Sequence, residues 1–175
     1  MKGQTEAFPN LLHIYAVDIA EKTFPMEIYW SCGNEYAGAW LVNPVGIEEL
    51  KGRYERYMHV HGVTYKDFKN FGKSPQTLCE MLNESFAENK VYVADEELEW
   101  TKFLLKELYL VAQIQSKNFI INPLYAFLIE KVQNQEILEN LKEKAGKKYV
   151  CGGASKFSFL KDLTELVLNE NSFHK

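Results

Sequence analysis

A single α/β domain, with a mixed sheet covered by helices on both faces, is the fold class this sequence predicts. Three observations carry it. Up to Val42 the chain holds three β-prone runs joined by short connections, the pattern of an antiparallel meander. Beyond that point short strand-like runs alternate with longer runs of helical period, the pattern of parallel crossovers. The chain has 175 residues, 46% apolar and 14% aromatic, which suits one buried core and argues against global disorder. The domain is expected to occupy residues 1–175, with its core over about 11–170.

Leu11 to Ile19 is dense in apolar and β-prone residues and reads as a buried central strand with Asp18 at its end. Glu27 to Ser31 reads as the second strand and Cys32-Gly33-Asn34-Glu35 as the turn after it. Tyr36 to Val42 is the third strand, stopped by Asn43-Pro44. The period then changes: Ile47, Leu50, Tyr54 and Tyr57 stand near helical spacing, weakened by Gly52. Thr64 with Asp67 suits the cap of a short helix, and Ser74-Pro75 opens a longer one as N-cap and first-turn proline. Val91 to Ala94 is a short strand, and Glu97 to Gln113 a strong amphipathic helix. Asn118 to Ile121 is the last strand. Leu124 to Lys144 is helical with a break near Asn134, and Gly146 is its stop. Cys151-Gly152-Gly153 reads as a turn, and Ser155 as the cap of a final helix reaching about Asn169.

The net charge is −4, which argues against tight non-specific binding of nucleic acid, because phosphate neutralisation supplies most of that affinity. The three cysteines, Cys32, Cys79 and Cys151, are widely spaced and suit reduced thiols in a cytoplasmic setting. The first residues lack the apolar core of a signal peptide, and no apolar stretch approaches membrane-spanning length.

Several landmarks in order resemble the DnaQ-type (DEDD, ribonuclease H-like) 3′–5′ exonucleases. They are the strand ending Ala16-Val17-Asp18-Ile19, the segment Phe24-Pro25-Met26-Glu27-Ile28, a third strand ending Val42-Asn43-Pro44, the loop His61-Gly62-Val63-Thr64, and Ser74-Pro75 followed by a helix and the strand Val91 to Ala94. The resemblance spans nearly the whole chain. It implies a ribonuclease H-like mixed sheet, a three-stranded antiparallel meander extended by parallel strands. It also implies a site in which carboxylates hold two metal ions about 3.5–4 Å apart for phosphodiester hydrolysis. Mg²⁺ or Mn²⁺ would be the ion, since hard cations take oxygen ligands.

Carried over position by position, the resemblance makes Asp18, Glu99 and Asp162 the catalytic and metal-binding acids. Glu21 is a further candidate ligand, and His61 and Gly62 form a substrate-binding loop. The family's second acid lies two residues after the first, where this chain has Ala20. Glu99 stands for an Asp, and Phe157 for the His that activates water. The expectation is therefore an exonuclease-fold protein with reduced or lost activity, serving as a nucleic-acid- or protein-binding module. The alternative is an active Mg²⁺- or Mn²⁺-dependent exonuclease on single-stranded DNA or RNA ends. If the site is inactive, no cofactor is expected. Single-stranded nucleic acid, a protein partner and a second copy of the chain are the candidate partners, and no membrane is expected. The residues by themselves also admit plainer roles. Glu99 lies in an acidic first helical turn, Asp162 alternates with Lys161 and Glu165, and Lys142, Lys144, Lys147 and Lys148 suit a solvated helix end.

Overall fold

Five strands make one sheet in the order β3-β2-β1-β4-β5. A computed structural model describes residues 7–16, 23–34, 36–43, 55, 62–87, 89–117, 119–147 and 152–173. The strands are β1 (Asn10–Tyr15), β2 (Glu27–Cys32), β3 (Tyr36–Leu41), β4 (Lys90–Val93) and β5 (Ile120–Pro123). Pairing is antiparallel for β1 with β2 and β2 with β3, and parallel for β1 with β4 and β4 with β5. The described helices are α1 (Tyr65–Phe71), α2 (Pro75–Phe86), α3 (Leu98–Ala112), α4 (Leu124–Val132), α5 (Gln135–Gly146) and α6 (Gly153–Phe173). A 3-10 turn, Asp95–Glu97, leads into α3.

The alternation of side chains along β1 sorts the helices into two layers. Leu12 and Ile14 join Ile28, Trp30, Val91 and Val93 on one face, under Phe68 of α1, Leu78, Leu82 and Phe86 of α2, and Leu104 and Leu108 of α3. Leu11 belongs to the other face, under Leu124 and Leu128 of α4, Leu138 and Leu141 of α5, and Phe157, Leu160 and Leu163 of α6.

Local chemistry sets most helix boundaries. Thr64 and Asp67 form a reciprocal capping box at α1, and Ser74 accepts from the Thr77 amide with Pro75 in the first turn of α2. The expected break near Asn134 is real. Gln133 ends α4 in the left-handed region, and the Asn134 side chain accepts from the Glu136 and Ile137 amides to open α5.

Two boundaries differ from expectation. β1 ends at Tyr15, paired with Glu27 of β2, and Ala16 is outside the strand; Val17, Asp18 and Ile19 lie outside the described residues. The last helix starts at Gly153 rather than after Ser155. A Cβ at Gly153 would lie 2.8 Å from the Tyr29 ring and 2.9 Å from the Glu27 carboxylate, so close approach, not capping, places glycine there. The helix expected over Ile47 to Met58 lies outside the described residues, except for helical Glu55. Among the described residues no helix is long and apolar enough to cross a membrane.

Candidate functional site

In open α/β sheets, ligands gather at the carboxyl ends of the parallel strands. Here that edge is formed by the end of β1, the 3-10 turn after β4, and the first turns of α4 and α6.

His13 lies two residues past the last parallel pair, Leu11 with Tyr92. It is only 3% exposed. Its Nδ1 is 2.9 Å from Glu97 Oε2, an ion pair when the ring is protonated. Its Nε2 is buried with no hydrogen-bond partner among the described residues. The ring stacks on Tyr29 at 6.0 Å, and Tyr29 stacks on Phe157 of α6 at 5.9 Å. The Tyr29 hydroxyl donates to Glu27 Oε2 at 2.6 Å. Burial, then the hydrogen bond and charge of Glu27, push the Tyr29 hydroxyl well above the usual phenol range. Gly153 seats the start of α6 directly on this group, since its Cβ would also meet Tyr15 at 3.0 Å. The Glu27 carboxylate thus lies against a helix N-terminus, where negative charge is favoured.

The 3-10 turn supplies two more contacts. Asp95 Oδ1 accepts from the Tyr125 amide at 2.7 Å. It caps α4 from the end of the neighbouring strand, and Pro123 at that helix's own cap position makes no side-chain cap bond. Glu96 pairs with Lys156 of α6. Burial pushes the Glu96 carboxyl up, but the hydrogen bond and charge of Lys156 more than offset it and hold it below the usual range. The Tyr125 hydroxyl is raised by burial and by the charges of Glu96 and Asp95. Chemically, the edge is a hydrogen-bonded node that locks β1, β2, the turn and α6 together.

Of the residues expected from the resemblance, Gly62, Glu99 and Asp162 are described. Asp18, Glu21 and His61 lie outside the described residues. Gly62 is exposed with φ +70° and open space around it. Glu99 is 82% exposed and bonded to Lys102 at 2.7 Å, in the first turn of α3. Asp162 is half-buried on α6, on the opposite face of the sheet. Glu99 and Asp162 therefore stand on helices packed against opposite faces of the sheet. Among the described residues no three His, Cys, Asp or Glu side chains converge as a metal ligand set. Of the lysine cluster, Lys142 pairs with Glu139 at 3.1 Å and Lys147 with Glu143 at 3.2 Å along α5. Lys148 is outside the described residues.

Sequence reading passed over His13, Glu97, Tyr29, Glu27 and Lys156. One signal was present: a histidine inside the apolar run Leu11-Leu12-His13-Ile14 has to find a polar partner when buried. No protein-family model matches this chain, and no curated protein matches it.

Proposed function

We propose that this chain is a ribonuclease H-like exonuclease-fold protein whose strand-end site has become structural, and that it works as a binding module rather than a nuclease. The strand order supports the fold part of this reading: an antiparallel meander extended by two parallel strands, β3-β2-β1-β4-β5. One observation carries the functional part. The end of β1 presents buried His13 and half-buried Tyr15, and Gly153 brings α6 down onto Tyr29, Glu27 and Tyr15. A helix N-terminus is thus seated on the Glu27–Tyr29 pair beside the end of β1, which supports a structural role for that edge. A fold stripped of its ligands remains a scaffold for other contacts. With a net charge of −4 and its α5 lysines Lys142 and Lys147 paired with acids, a protein is a better-matched partner than nucleic acid.

The test is nucleotide release from 3′-labelled single-stranded DNA and RNA with Mg²⁺ or Mn²⁺, with Asp18→Ala as control. The expected result is no release above the control with either metal. Release that disappears in Asp18→Ala would establish instead an exonuclease working with a reduced set of acids.

A further inference from the structure

We propose that β3 is a self-complementary edge through which two copies of this chain pair antiparallel about a twofold axis, joining their sheets into one. β3 is the terminal strand of the sheet. Its hydrogen-bonding direction is fixed at one end. The Val42 amide donates inward to the Met26 carbonyl at 2.9 Å, so residues 36, 38 and 40 also face β2. The backbone groups of Ala37, Ala39 and Leu41 then face outward. The Leu41 carbonyl accepts from the Lys73 amide at 2.8 Å, which closes that end. Ala37 and Ala39 are both exposed, and among the described residues no backbone bond meets their outward amides and carbonyls.

Native edge strands are protected by charges, prolines or bulges. Tyr36-Ala37-Gly38-Ala39-Trp40-Leu41 has no charge and no proline. Its pairing with β2 runs unbroken from Tyr36 to Leu41, without a bulge.

The sequence also specifies what would cover it. A twofold axis through Gly38 sets Ala37 of each copy opposite Ala39 of the other. Those are the residues with outward-facing backbone groups, so four hydrogen bonds close. The same axis sets Tyr36 opposite Trp40 twice, in non-hydrogen-bonded positions where side chains approach most closely and aromatic pairs stabilise a sheet. Tyr36 is 54% exposed in the single chain. Trp40 already carries Lys73 over its ring at 4.5 Å. The uncharged strand brings no like charges together, and shifting the axis to Ala39 would demand the Leu41 carbonyl that Lys73 holds. A strand from an unrelated protein would satisfy the backbone but has no reason to satisfy both aromatic pairs.

Sedimentation of the full chain tests this, with circular dichroism confirming that each variant is folded. The expected mass is twice 20.3 kDa for the wild type at micromolar concentration. Ala37→Lys with Ala39→Lys places lysines opposite one another and is expected to give monomer. Ala37→Glu with Ala39→Lys places opposite charges in both pairs and is expected to restore the dimer. Both positions are exposed, so the single chain accommodates either pair of changes. A wild type that stays monomeric up to about 100 μM would overturn the proposal. So would a dimer that survives the lysine pair, or one that the Glu/Lys pair fails to restore.

Discussion

Each face of the sheet contains a polar node, and the two nodes differ in kind. Under α2 and α3, Asn83 accepts from the Tyr109 hydroxyl at 2.9 Å and from the Lys117 amide at 2.9 Å, and donates to the Gln115 carbonyl at 3.0 Å. That node is neutral and tied to the backbone after α3. At the edge beneath α6, His13, Glu97, Tyr29 and Glu27 form a node that contains carboxylates and leaves His13 Nε2 unmatched among the described residues. A neutral node satisfied by backbone groups stitches a loop to a helix. The node of ionisable groups lies instead at the end of β1 beside the turn after β4, where α6 closes over it.

The largest expected effect comes from reopening the second node. Gly153→Val forces a side chain against Tyr29, Glu27 and Tyr15, and is expected to destabilise the fold by about 3 kcal/mol in urea unfolding. A loss under about 1 kcal/mol would mean that α6 is not held by that contact.

The two nodes should next separate under truncation. Asn83→Ala removes the acceptor of the Lys117 amide and the shorter of two acceptors of the buried Tyr109 hydroxyl, which keeps the Cys79 carbonyl at 3.4 Å, and should cost about 2 kcal/mol. His13→Phe keeps the stacking on Tyr29 and removes the unmatched nitrogen, while Glu97, 25% exposed, returns to water. Its expected cost is below about 1 kcal/mol. Equal losses in the two variants, measured by the same unfolding curve, would erase the distinction between the nodes.

Acid provides a finer comparison. The Glu96 carboxyl is held below its ordinary value of 4.5, so its folded form binds a proton less readily than the unfolded chain. Its pairing with Lys156 therefore contributes stability that is full above 4.5 and falls away as pH drops through the lower folded value. Lys156→Met should remove this, so wild type and variant differ at neutral pH and converge in acid. Curves that stay parallel to low pH would show that the pair contributes nothing.

The smallest effect is expected at Glu99. With 82% of the side chain exposed, Glu99→Ala should shift stability by less than about 0.5 kcal/mol in thermal unfolding. A larger loss would indicate a buried role that the first turn of α3 does not show.

What the sequence revealed follows the range of the interactions involved. Thr64, Ser74, Pro75 and Asn134 act within a few residues of themselves, so their caps and breaks were readable. The end of β1 depends on where Glu27 stops pairing, and the apolar run through Asp18 contains nothing that marks it. Gly153 looked like a turn residue because the Tyr29 ring that requires it is distant in sequence. The candidate site was hardest to read. Glu99 sits in an acidic run that a solvated helix start also explains. The partnership of His13 with Glu97 spans 84 positions and becomes visible only when β1 and β4 lie side by side.

The Asp95 cap on α4 bears on the order in which the chain assembles. The helix opens at Pro123 and has no local acceptor for its first amides, so its Tyr125 amide waits for a carboxylate 30 residues earlier. That carboxylate arrives only once β4 and β5 are in register. Nucleation of this nine-residue helix is thereby tied to parallel strand pairing, one of the slower events in folding. Removing the carboxylate should then accelerate unfolding while leaving the refolding rate nearly unchanged, the kinetic pattern of a contact made after the barrier is crossed.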